Sequence, residues 1–104
     1  MKKIISTTNA PAAIGPYSQA NFANGILYIS GQIPVNPETG KLVEGIEKET
    51  HQVMKNLEAI LTEAGMTFKN VVKATIFLKN IDDFAVMNDI YASYLAADSY
   101  PAGE

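Results

Sequence analysis

The sequence predicts an α+β fold, with two helices laid on one face of a small mixed β-sheet. Three observations carry this. Apolar residues alternate with period two around an Asn-Gly pair, a helical apolar spacing runs from Ile46 to Ala64, and a β-branched segment at Val71 to Leu78 leads into a second helical stretch. In chain order, Ile4-Ile5 supplies an N-terminal strand or arm. Ala20 to Ala23 and Ile26 to Ser30 then flank Asn24-Gly25, the pair that best tolerates the positive φ of a two-residue hairpin turn. Leu27, Ile29 and Ile33 fall on one face and Tyr28, Ser30 and Gln32 on the other, with Pro34 ending the strand. Asn36-Pro37-Glu38-Thr39-Gly40 reads as a loop.

The first helix places Ile46, Val53, Met54, Leu57, Ile60, Leu61 and Ala64 on its apolar side, and Gly65 is its C′ residue. In the following strand Val72, Ala74, Ile76 and Leu78 alternate with Val71, Lys73, Thr75 and Phe77. Asp82 or Asp83 caps the second helix, which runs to about Leu95.

The 104 residues allow a single domain, 1–104, with no linker or repeat. At 47% hydrophobic and 18% charged, the chain is far from the composition of a disordered segment. Its net charge is −3, and all eight of its basic residues are Lys, scattered along the sequence, which argues against a nucleic-acid partner. The absence of Cys excludes disulfides and thiolate chemistry, and the single His, His51, cannot form a two-His metal pair. The apolar stretch behind Lys2-Lys3 is too short for a signal-peptide core, and no run approaches the ~20 apolar residues of a membrane span. A soluble, cytoplasmic protein without membrane partners is expected.

Few residues stand out chemically. Tyr17 follows Gly15-Pro16, a dipeptide that fixes the chain direction. Its two readings are an ordinary half-buried tyrosine and a placed phenol. Ser30-Gly31 reads either as a packing or bulge feature or as backbone open to close ligand approach. On the second helix Phe84, Met87, Tyr91, Tyr94 and Leu95 form the apolar stripe, and Asn88 falls within it or at its rim. Its amide is either solvated at the edge or faces a cavity holding a polar ligand, because a buried amide must find partners. His51 is a surface residue, and the acids at 47–49 and 82–83 are helix-start residues rather than a catalytic pair. Phosphate-binding, dinucleotide and nucleophile-elbow motifs are absent.

Taken together, Gly15-Pro16-Tyr17-Ser18-Gln19-Ala20, Ile29-Ser30-Gly31-Gln32-Ile33-Pro34, the helix containing Asn56-Leu57, and Tyr91 to Pro101 resemble the reactive intermediate deaminase A (RidA, YjgF) family over essentially the whole chain. The resemblance implies a chorismate-mutase-like subunit, a homotrimer with ligand clefts between subunits, and hydrolysis of enamines or imines such as 2-aminoacrylate and 2-iminopropanoate to 2-keto acids and ammonia. It implies no cofactor. It makes Tyr17 a cleft-lining residue, Ser30-Gly31 a backbone element beside the ligand, and Asn88 a polar wall, and assigns no catalytic residue. The family pattern places after Pro101-Ala102 an Arg that holds the substrate carboxylate. Gly103 occupies that position, and the sequence ends at Glu104 before two further C-terminal strands that the pattern leads one to expect. The alternative is a non-catalytic small-ligand or protein-binding member of the same fold. RNA cleavage, a label attached to some relatives, is disfavoured by the acidic balance, the lack of Arg and the single His.

Overall fold

Asn24 and Gly25 both adopt positive φ, 53° and 79°, the signature of a type I′ turn whose twist matches that of the strands it joins. In the computed structural model of the chain, which describes residues 2–13, 15–76, 78, 80–95 and 100–103, this turn links β2 (Ala20–Ala23) to β3 (Ile26–Ile29). The two are antiparallel, in register from Ala20↔Ile29 to Ala23↔Ile26. β1 (Lys2–Ile5) pairs antiparallel with the other edge of β2, giving the order β1-β2-β3. The predicted N-terminal strand and hairpin are therefore present. A side chain at residue 25 would meet nothing within 4 Å, so only backbone strain opposes it. Gly25→Ala is expected to cost about 1 kcal/mol and to lower the melting temperature by about 5 °C; an unchanged melting curve would refute the turn geometry.

Strand alternation sorts the sheet into two faces. The row Ile5, Ala20 and Ile29 turns inward, while Ile4, Asn21 and Tyr28 share a row on the outer face. Inward, Ile5, Ala10, Ala20 and Ile60 form the buried cluster, with Leu27, Ile29, Ala59 and Ala64 packed around it. Ile60 and Ala59 belong to α1 (Ile46–Glu63), so this helix covers the sheet. Glu47 and Glu49 lie in its first turn, at the positive end of the dipole. Its far end is a Schellman motif. Gly65 takes φ 75°, the Gly65 N–H donates to Thr62 O (3.0 Å) and the Met66 N–H to Leu61 O (2.8 Å).

α2 (Phe84–Ser93) packs on α1 and begins differently from the sequence expectation. A 3-10 turn, Ile81–Asp83, precedes it, and the cap is Asn80, whose side-chain oxygen accepts from the Asp82 N–H at 2.9 Å. Asp83 cannot serve because its own backbone is already helical, at φ −84° and ψ −2°, whereas a capping residue needs extended backbone such as that of Asn80, at φ −130° and ψ 119°.

The strand expected over Val71 to Leu78 contracts to β4 (Lys73–Ala74), parallel to β5 (Ala102–Gly103). A ladder exists only where a partner backbone runs alongside, and β5 offers two residues. Phe77 of the expected strand, residues 96–99 and Glu104 lie outside the described residues. A further 3-10 turn, Phe68–Asn70, stands before β4, closed by a Thr67/Asn70 capping box that periodicity does not reveal. Among the described residues, parallel and antiparallel pairing thus occupy two small sheets.

Candidate functional site

Gly15 adopts φ 89°, and the Tyr17 N–H donates back to Gly15 O at 2.9 Å. A Cβ at residue 15 would lie 3.4 Å from the Tyr17 ring, in ordinary contact, so the aromatic ring lies against the glycine, and it is the positive φ that opposes a side chain there. The phenol itself remains 70% exposed. Immediately downstream, the Ser30 hydroxyl donates to Ser18 O (2.7 Å) and the Ser30 N–H to Gln19 O (3.0 Å). The structure thus joins Ser30 to the segment that carries Tyr17. Ser30 and Gly31 lie just past the end of β3 rather than on a strand, because the ladder closes at the Ala20↔Ile29 pair. Gly31 is exposed, and open space surrounds the position of its missing Cβ, so its backbone is approachable.

Next to this wall is a concavity of about 570 Å³, whose lining includes Thr7, Ala10 and Pro11 as well as Tyr17, Ser18 and Gln19. A second, of about 440 Å³, lies between Asn9 and the α1 residues Lys55, Glu58 and Glu63 and touches none of the expected site residues. Asn88 stands exposed on α2, which favours the rim reading of its position. Its helix packs on α1 and on the 3-10 turn before it, and among the described residues no hydrogen bond joins Asn88 to Tyr17, Ser30 or Gly31. Gly103 lies in β5, paired with Ala74 of β4. A Cβ there would meet only Ala74 O, at 3.9 Å.

Two side chains carry more structure than their sequence reading suggests. Asn56 of α1 is fully buried; its amide donates to Ile33 O (3.2 Å) and Val35 O (3.1 Å), and its oxygen accepts from Gln52 Nε2 (2.9 Å). It thereby anchors the chain that leaves Gly31. The available signal was a polar residue at i−4 from Ile60, on the face that meets the sheet. Gln19 is the other, buried within a loop where periodicity has nothing to say.

His51 is exposed, as expected, but it is engaged. Its Nδ1 and the Tyr94 hydroxyl share a 2.7 Å hydrogen bond, and Tyr94 also meets the Phe68 ring edge-on. Burial, followed by the negative charge of Glu58, raises the Tyr94 phenol above its ordinary pKa near 10. The folded state therefore keeps a proton that the unfolded state releases. The resulting stabilisation is complete below the unfolded pKa and is lost as pH rises through the folded one. Tyr94→Phe is expected to flatten the fall in stability above about pH 10, as followed by denaturant titration at stepped pH; an unchanged alkaline limb would refute the assignment.

Among the described residues no three His, Asp or Glu side chains gather as a metal site, and no helix is long and apolar enough to cross a membrane. What the wall offers is an aromatic hydroxyl and open backbone, groups that orient a small polar molecule.

A family model described as "Endoribonuclease L-PSP" matches residues 7–103. A RutC family protein of Pyrococcus horikoshii is 50% identical over 103 residues, covering 98% of this chain and 81% of the relative. The 2-iminobutanoate/2-iminopropanoate deaminase of Bos taurus is likewise 50% identical over 103 residues, covering 98% and 74%. The crystal structure of the Rid family protein YyfA from Yersinia pestis superposes with a TM-score of 0.96 at 57% identity, covering 99% of this chain and 82% of that one.

Proposed function

Because the chain belongs to the endoribonuclease L-PSP family, to which the RidA deaminases belong, we propose that it acts on small enamines and imines of the 2-aminoacrylate and 2-iminopropanoate type, releasing 2-keto acids and ammonia. The observation that carries this reading is the junction of Ser30 with the Tyr17-Ser18 segment through the 2.7 Å Ser30–Ser18 bond. The junction ties the segment that carries Tyr17 to the residue preceding the exposed Gly31. The chemistry asks little more than orientation. An imine carbon is already electrophilic, so holding the molecule, favouring its protonated form and admitting a water suffices. Water adds across C=N, the nitrogen leaves as ammonia, and the carbon becomes a ketone. No residue of this chain is assigned as the acid or base.

Asn88 forms the second wall in this reading, supplied across a subunit boundary of a homotrimer. Two features support a second copy against the sheet. Ile4 and Tyr28, 59% and 60% exposed, flank Asn21 on the outer face, and the Asn21 side-chain oxygen is buried with no hydrogen-bond partner among the described residues. A cytoplasmic location suits such metabolites.

Ammonia release from 2-aminoacrylate generated in the assay tests the reading, with Gly103→Arg run in parallel because Gly103 offers the substrate carboxylate no charge. Release above the buffer rate in either protein supports it. Buffer-rate release in both refutes it. The second reading, a non-catalytic binding member, is favoured by Gly103 itself, and 2-ketobutyrate binding in calorimetry without turnover in either protein would select it. RNA degradation that survives Tyr17→Phe would count against both.

A further inference from the structure

We propose that Gln19 is a positioning residue that ties together two stretches of the lining of the concavity beside Tyr17. The proposal rests on the deaminase reading only for the identity of the ligand that enters. The Gln19 side chain is 6% exposed and spans to a separate stretch of chain. Its oxygen accepts from the Thr7 N–H at 2.6 Å, while Nε2 donates to Pro11 O at 2.8 Å, Thr7 O at 3.0 Å and, more weakly, Ala10 O at 3.3 Å. An amide of this length offers one acceptor and two donor hydrogens from a single group, which is what one N–H facing a cluster of carbonyls requires. Asn is one methylene short, Glu has no hydrogen to donate when ionised, and Met has neither function.

The main chain of the same residue faces the other way. Gln19 O accepts from the Ser30 N–H, and the adjoining Ser18 O accepts from the Ser30 hydroxyl. One residue therefore fixes residues 7–11 through its side chain and Ser30 through its backbone, with Tyr17 two positions upstream. Thr7, Ala10, Pro11, Tyr17 and Ser18 all line the concavity together with Gln19, so the Gln19 amide ties two separate stretches of its lining to each other. Under the deaminase reading the ligand to test there is a compact 2-keto or 2-imino acid.

The test compares Gln19→Met and Gln19→Glu with Ile60→Val, a core truncation at a residue that does not itself line the concavity. It reads amide-exchange protection residue by residue and calorimetric binding of 2-ketobutyrate. Gln19→Met is expected to reduce protection at Tyr17 and Ser30 at least tenfold, to spare the amides of residues 57–60, and to weaken 2-ketobutyrate at least tenfold. Gln19→Glu should do the same near pH 8 and recover towards pH 5. Burial among carbonyls raises its carboxyl pKa, and the protonated form regains one donor. Ile60→Val should leave both readouts at Tyr17 and Ser30 unchanged. Loss of protection confined to Thr7, or an equal loss in Ile60→Val, would overturn the inference. If the unmodified chain binds no 2-ketobutyrate, the ligand assignment fails, and exchange at Tyr17 and Ser30 alone decides the role of Gln19.

Discussion

Replacing Gly103 with Arg is expected to tighten 2-ketobutyrate binding about 10- to 100-fold. A charge-assisted, two-pronged hydrogen bond to a carboxylate contributes about 1.5–3 kcal/mol, and each 1.4 kcal/mol is about a factor of ten in affinity. The position can accept the change. Its φ lies outside the range in which an L side chain is strained, and the nearest atom to a new Cβ is Ala74 O at 3.9 Å, ordinary contact. The β4–β5 pairing holds the backbone there through the Ala102 N–H donated to Val72 O at 2.9 Å, so the added side chain projects from an ordered strand. Gly103→Lys supplies the charge without the planar fork and should recover only part of the gain. Calorimetry on the three proteins checks the order Arg, Lys, Gly. Equal affinities would remove position 103 from the ligand site.

A loss of about 3 kcal/mol is expected from Asn56→Leu, the largest stability effect among the substitutions considered. The new side chain matches the old in size, but it abandons Ile33 O and Val35 O, which face a fully buried position. Ile33 O keeps the Val35 N–H at 2.8 Å, but Val35 O and Gln52 Nε2 lose their partner, and a polar group left unpaired away from water costs about 1–3 kcal/mol. For a domain of this size the melting temperature should fall by about 10–20 °C. Asn56→Asp is the sharper probe, because it turns a donor towards those carbonyls into a negative charge. Its deficit should be largest at neutral pH and shrink in acid as the buried carboxyl takes up a proton. Thermal denaturation at two pH values measures both effects. A pH-independent loss in Asn56→Asp would show that the amide does not face the carbonyls.

The parts of this molecule that were legible in its sequence are those governed by local rules. Asn24-Gly25 names its turn and so pairs β2 with β3, and Gly65 ends α1 where the apolar spacing ends. The strand expected over Val71 to Leu78 is shorter among the described residues because β propensity describes a willing chain, whereas a ladder needs a neighbour, there Ala102–Gly103. Asp82 and Asp83 were favoured as caps for their acidity, but the backbone at Asn80 decided the matter. At the candidate site, Tyr17 and Ser30 stand out in the sequence through the segments that carry them. Asn56 and Gln19, which hold the surrounding chain, were passed over as candidates because a side-chain amide reveals its role only through the carbonyls that tertiary structure brings to it.

The register of the first sheet also orders events in time. β2 and β3 are joined by two residues and meet with almost no loop to close, whereas β1 must wait until the chain between Ile5 and Ala20 has been drawn into a loop. The hairpin therefore forms early and β1 docks afterwards on a template already in place. A change at Gly25 is therefore expected to slow folding and a change at the β1 residue Ile5 mainly to speed unfolding, as stopped-flow refolding and unfolding rates would read. The segment that carries Tyr17 lies inside the late-closing loop, so its geometry is completed only when the first strand arrives.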